Sequence, residues 1–351
     1  MNPAGTKRMR SLIASFPQQL RKALEMDFSE FEVDRESNTL ATEDITLCGM
    51  GGSGMSGSIV RELVQNLSVF PTITNHEHIV APYANSDSLI IATSYSGNTE
   101  ETLSAVRSAT YGRIICVTSG GKLARIAKKN GYNLVKLPSG LPPRAALAYA
   151  VVAQLSILDV VNIAPDGFRK DVGEAADLLE SEQQTILRIA SKVAGQLAGK
   201  LTAVYCDSGM ESVAMRFRQQ LAENAKQLAW HHVLPEMNHN ELVGWRNAHK
   251  DVGVVFLRSK FEHPRTKLRI NYTAELLRKK AGYVAELRAK GKSKIAQWFY
   301  LIHLGDWISQ LIGEKLGIDT LEVKEIDHQK KHLAETTKPT KPKAQRSKET
   351  A

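Results

Sequence analysis

The chain has 351 residues, of which 42% are hydrophobic and 24% charged, with a net charge of +9; this is ordinary globular usage and enough chain for two cores of common size. Cys48, Cys116 and Cys206 are far apart and each sits among aliphatic residues, which argues against a disulfide frame or a zinc cluster. The basic start Met1–Phe16 is followed too soon by Gln18, Gln19 and Arg21 to read as a signal peptide, and no uninterrupted apolar run approaches the roughly 20 residues that span a bilayer. A cytoplasmic protein with no membrane partner is therefore expected.

The positive charge is uneven. Lys330, Lys331, Lys338, Lys341, Lys343, Arg346 and Lys348 against Glu335 and Glu349 leave five of the nine net charges in the last 22 residues. Residues 336–351 have no large apolar side chain, so they are expected to form a basic disordered tail, and no nucleic-acid partner is implied.

In chain order, Leu12, Ile13, Phe16, Leu20 and Leu24 recur at helical spacing and predict a helix over 9–25, within an N-terminal helical segment of residues 1–30. Strand signals follow at 45–49, 69–74, 88–93, 113–118 and 133–137, with helical patterns at 58–66 and 100–110 between them. This β-α alternation predicts a parallel, doubly wound sheet for residues 31–165, closed by an Ala-rich buried helix over 145–162 and the Pro165-Asp166-Gly167 punctuation. A second α/β unit over 166–335 repeats the grammar. It has helices at 173–198, 210–228, 266–281 and 295–313, strands at 201–206, 252–257 and near 283–286, and a loop around Pro235.

Two loops carry chemistry. Cys48-Gly49-Met50-Gly51-Gly52-Ser53-Gly54 leaves a strand and opens a helix, so backbone can approach an anion closely at a helix N-terminus. Gly49, Gly51 and Gly54 also fit G-x-G-x-x-G, with Glu77 at the distance of a ribose-binding acid, so a nicotinamide dehydrogenase is an alternative. The second loop, Ser94-Tyr95-Ser96-Gly97-Asn98-Thr99-Glu100-Glu101, follows a buried strand and offers three hydroxyls beside another helix start. That suits a monophosphate. The same residues read as an ordinary helix cap with an acidic first turn. Both loops would meet at the carboxyl edge of one sheet, which favours a ligand.

These loops, Pro142-Pro143-Arg144, and the segment containing Glu223 and His239 together resemble the bifunctional phosphoglucose/phosphomannose isomerase family, over about residues 20–335. The resemblance implies two sugar isomerase (SIS) subdomains, a sugar-phosphate substrate, no cofactor, no metal, and a homodimer with a shared active site. It assigns phosphate binding to Gly52, Ser53, Ser94, Ser96 and Thr99, and enediolate stabilisation to Arg144. Glu223 becomes the proton-transfer base and His239 the ring-opening group. Lys330 becomes a contact of the sugar ring, with Lys324 and Lys331 as competitors.

Read from the residues alone, Arg144 could simply solubilise a helix start, and Glu223 could be a surface residue paired with Lys226 at i+3. The cluster His231, His232, Glu236, His239 and Glu241 fits no standard zinc spacing. Trp230, Leu234, Met237, Leu242 and Trp245 have the composition of an interface, or could pack beneath their own lobe. A non-catalytic sugar-phosphate sensor is a further alternative.

Overall fold

The computed structural model describes residues 3–28, 42–67, 69–80 and 84–336; the expected tail lies outside the described residues beyond Thr336. The chain opens with α1 (Pro3–Ala14) and α2 (Phe16–Leu24) where one helix was expected. Pro17 explains the break: it lacks the N–H that a continuous helix would need and sits instead in the first turn of α2.

Five strands then form a parallel sheet. They are β1 (Asp44–Cys48), β2 (Thr72–Asn75), β3 (Ser88–Thr93), β4 (Arg113–Thr118) and β5 (Asn133–Lys136), in the order β2-β1-β3-β4-β5. Helices α3 (Gly51–Val64), α4 (Glu100–Ser108) and α5 (Gly121–Asn130) make the crossovers, and a 3₁₀ turn (Pro143–Ala146) leads into α6 (Leu147–Val160). β1 and β3 are neighbours, and the chain leaves them toward opposite ends of the sheet, so their carboxyl ends frame the crevice where open α/β sheets bind ligands.

Helices α7 (Phe168–Ser181) and α8 (Gln183–Leu197) replace the single helix expected over 173–198, the chain turning at Glu182. A second parallel sheet follows, built from β6 (Leu201–Asp207), β7 (Ala229–Leu234), β8 (His249–Arg258) and β9 (Ala281–Arg288) in the order β7-β6-β8-β9. Its helices are α9 (Glu211–Ala225), α10 (Pro264–Lys280) and α11 (Lys294–Lys315). β7 was not expected: the helix pattern over 210–228 stops at Ala225 because Lys226 takes a left-handed conformation, φ 50°, and the chain then enters an edge strand. A last helix, α12 (Lys324–Thr336), follows at the C-terminal end of this unit, where the sequence reading set no range; none of its residues is buried.

One hydrophobic layer joins the two sheets, containing α2, α6, α7, α8, α9 and α11. The outer faces have their own clusters, α4 and α5 against the first sheet and α10 against the second. Pro143–Val160 is long and apolar enough to cross a membrane, against expectation, but 78% of it is buried inside this layer, as in the core helix of a globular protein. All three cysteines are buried and free.

Candidate functional site

The two chemistry-bearing loops meet at the carboxyl ends of β1 and β3, and the glycines explain how closely. A Cβ on Gly49 would lie 2.9 Å from the Thr93 carbonyl, and one on Gly52 2.9 Å from the Pro143 carbonyl and 3.2 Å from Arg144 Cα. Gly52 is thus the position at which the β1 loop touches the double-proline element. Gly97 has φ 66°, and a Cβ there would run into the Gly120 carbonyl, which ties the β3 turn to the turn after β4.

The buried Ser53 hydroxyl accepts the Tyr95 N–H at 3.0 Å, linking the two loops directly. Ser94, also buried, donates its hydroxyl to Thr99 Oγ1 at 2.9 Å. The exposed Ser96 Oγ accepts the Asn98 N–H at 3.2 Å. Thr99 occupies the N-cap position of α4, yet its side chain makes no cap hydrogen bond. Its hydroxyl is turned toward Ser94 instead, so ordinary capping does not account for this turn.

Arg144 is no solubilising residue: it is 4% exposed. Its Nε donates to Asn224 Oδ1 at 2.9 Å, and one terminal nitrogen donates to the Thr320 and Leu321 carbonyls at 2.7 and 3.0 Å. The other terminal nitrogen lies 3.4 Å from Glu223 Oε2. Burial pulls the Arg144 pKa below the ordinary guanidinium value; the Glu223 carboxylate acts the other way. A buried cation held by neutral carbonyls and an amide keeps its field for what lies in front of it.

Glu223, with its side chain 26% exposed, lies in the last turn of α9. Lys226 does not pair with its carboxylate, the alternative that the i+3 spacing left open. The Lys226 ammonium donates to the main-chain carbonyls of Glu223, Asp319 and Glu322, at 2.7, 2.9 and 2.6 Å, and so anchors the helix end to the 319–322 loop. Asn224 completes the support by donating to Ser309 Oγ at 3.0 Å. Arg216, buried and bonded to Asp306 at 2.8 Å, also donates to the Arg144 carbonyl at 3.0 Å.

The structure therefore brings Gly52, Ser53, Ser94, Ser96, Thr99, Arg144 and Glu223 into one connected region. Asn224, Arg216 and the 320–321 carbonyls were missed, because their only signal is contact across the fold. His239 is not in this region. α9 runs back to the amino edge of the second sheet, leaving Glu223 there, whereas β7 runs forward and His239 follows it at the carboxyl edge. Six strand residues at ~3.3 Å each put roughly 20 Å between the two levels. Lys330 is exposed on α12, as is Lys331, and Lys324 pairs with Glu322 at 2.7 Å.

Leu234, Met237 and Trp245, expected at an interface, are buried in their own lobe at 0%, 0% and 4% exposure. Leu268 and Tyr272, both exposed, line a hollow with Asn238 and Leu242 beside His239, and Val243, four residues on from His239, is exposed as well. His232 and Glu241 pair at 3.0 Å, and His231 faces Glu211 at 3.5 Å. Among the described residues no three His, Cys, Asp or Glu side chains gather as metal ligands. Glu77, the acid a dinucleotide site would use, is exposed beyond β2, and its N–H donates to Asn75 Oδ1 at 2.8 Å.

Comparison with known proteins gives a consistent relationship. Residues 187–333 match the family model of the bacterial phospho-glucose isomerase C-terminal SIS domain. A bifunctional phosphoglucose/phosphomannose isomerase of Caldicellulosiruptor bescii is 33% identical over 335 residues, 92% of this chain and 98% of that protein. One of Aquifex aeolicus is 32% identical over 323 residues, 90% of this chain and 98% of that protein. In fold, the chain is similar to the C-terminal domain of glucosamine-fructose-6-phosphate aminotransferase from Francisella tularensis, with a TM-score of 0.71 at 13% identity, covering 89% of this chain and 97% of that one. With its phosphosugar-isomerase fold and relatives matched over nearly their whole length, the chain belongs to the bifunctional phosphoglucose/phosphomannose isomerase family.

Proposed function

We propose that the protein interconverts glucose 6-phosphate, and mannose 6-phosphate as a second aldose, with fructose 6-phosphate through a cis-enediol. The observation that carries this reading is the Arg144–Glu223 pair, a buried guanidinium 3.4 Å from a partly exposed carboxylate, beside two loops suited to a phosphate. The named activities of the two relatives support it.

In this reading Ser53, Ser94, Ser96, Thr99 and the Gly52 backbone hold the phosphate at the starts of α3 and α4. Glu223 takes the proton from C2 of the open aldose and returns it to C1, while a proton passes from the C2 hydroxyl to the C1 oxygen. Arg144 offsets the charge of the enediolate, a contribution on the order of 3 kcal/mol for a fixed donor. His239 opens the ring, and Lys330 contacts the sugar. No step needs a cofactor.

Glu223 and His239 lie at opposite edges of the second sheet, so both can act on one sugar if His239 comes from a second copy across a two-fold axis. Val243, Leu268 and Tyr272, exposed at 67%, 58% and 64% near His239, give such a homodimer apolar area to cover. We assign the enzyme to the cytoplasm. A coupled assay for fructose 6-phosphate from each aldose phosphate tests the activity: formation from both supports it, and formation from neither overturns it.

A further inference from the structure

The second sheet repeats the first. β7-β6-β8-β9 follows the order of β2-β1-β3-β4, and the carboxyl ends of β6 and β8 frame a cavity of about 630 Å³. Asp207 ends β6 and Ser208 follows it, the loop after β8 brings Ser259 and His263, and the first turns of α11 bring Lys294 and Trp298.

The correspondence extends to the positions of the charged residues, though not to their pairing: Lys294 meets the main chain of Glu62, whose carboxylate is held by Ser212. Glu223 is third from the end of α9 and meets Arg144, just ahead of α6; Glu62 is third from the end of α3, and its carbonyl accepts Lys294, at the start of α11, at 2.9 Å. The fold thus places a carboxylate and a cation beside both switch-point crevices.

The chemistry of the second crevice differs. Where the first has Gly49 at the end of its strand, this one has Asp207, whose Oδ1 accepts the Gly209 N–H at 2.9 Å. Glu262 is engaged by Arg258 at 2.8 and 3.0 Å and by the Ser259 N–H at 2.9 Å. A phosphate dianion seated on these loops would face a carboxylate, which disfavours it. Hydroxyl groups suit the crevice instead: Asp207 accepts them, Lys294 and Ser208 donate to them, and the Phe261 ring, 47% exposed, offers an apolar face. Trp298 is 4% exposed, lies 4.2 Å beneath the Lys294 ammonium, and its indole N–H has no partner among the described residues.

We propose that the β6/β8 crevice is a second ligand site, distinct from the isomerase site, that takes an uncharged polyhydroxylated compound such as an unphosphorylated hexose. Its test uses the full chain titrated with glucose by calorimetry and by saturation-transfer NMR. The expected result is binding in the millimolar range, weakened by about tenfold or more in Asp207→Asn and in Ser208→Trp, which fills the cavity from an exposed loop. Thr99→Ala leaves glucose binding unchanged, inorganic phosphate does not compete with it, and isomerase kcat and KM in the two crevice variants stay close to wild type. Ser208→Trp guards against a folding defect, since its thermal midpoint should match wild type. No glucose binding, binding that Thr99→Ala weakens and the crevice variants do not, or displacement by phosphate would each overturn the proposal.

Discussion

The carboxyl edges of the two sheets share strand order, switch point and a glutamate third from the end of the helix that follows the first strand. Their loops make them different places. At the first edge, hydroxyls and close-approach glycines face a partly exposed Glu223 and a buried Arg144. At the second, carboxylates line the loops, and Glu62, 2% exposed, is held by the Ser212 N–H and hydroxyl at 2.6 and 2.5 Å. Topology makes a crevice twice; side chains make the two chemically different.

The sharpest way to break this comparison is to mutate the two glutamates alike. Glu223→Gln removes basicity at constant size, and turnover in the coupled assay should fall by at least ~10² with substrate still bound. Glu62→Gln should leave turnover within a few-fold of wild type. Equal losses would mean that the two carboxylates do not differ in role.

The next largest effect concerns how the first edge is completed. Inactive Glu223→Gln and inactive His239→Ala chains, unfolded and refolded together, should regain about a quarter of wild-type activity, since half of randomly paired dimers carry one intact site. A mixture that stays dead while wild-type refolding controls recover would place both groups within one chain's site.

Replacing Ser96 and Thr99 by Ala should raise KM by roughly 10- to 1,000-fold and remove protection by inorganic phosphate, because hydroxyl donors to a charged acceptor contribute about 1.5 to 3 kcal/mol each and do not add fully. Loss of thermal stability with unchanged affinity would restore the capping explanation, against the missing cap bond at Thr99.

The last test concerns Glu62 alone and is read in stability, not in turnover. Burial pushes the Glu62 carboxyl up to about 7, against the lowering effects of Ser212 and Arg61. Its folded pKa is raised, so the folded state binds the extra proton and stability falls as pH rises from the ordinary glutamate range to about 7. Glu62→Gln should remove that slope, on the order of 3 kcal/mol across the window, measured as the difference between the two denaturation midpoints against pH. Parallel curves would show that Glu62 does not titrate there.

Much of the first edge was legible because its signals are local. Ser88–Thr93 and residues 114–118 are uninterrupted buried runs, and the glycine and hydroxyl runs that follow β1 and β3 are contiguous in sequence. Less local features escaped. β7 is an edge strand whose residues are mostly half-buried, so its alternation is weak, and α12 has no buried face to give it a period. Leu234, Met237 and Trp245 have the composition of an interface and yet sit in a core, since aromatic and Met residues serve both.

The sequence by itself determined the α/β class, the glycine- and hydroxyl-rich loops and the family, all of which depend on neighbours along the chain. Tertiary structure alone decided that Arg144 is held by carbonyls some 176 residues away, that Lys226 anchors a helix end instead of neutralising Glu223, and that Glu62 is a buried counterpart of Glu223. The reason is physical. A side chain's charge, exposure and partners are set by which surfaces burial brings together, and an arginine or glutamate on a helix carries no local mark of what it will meet across the fold.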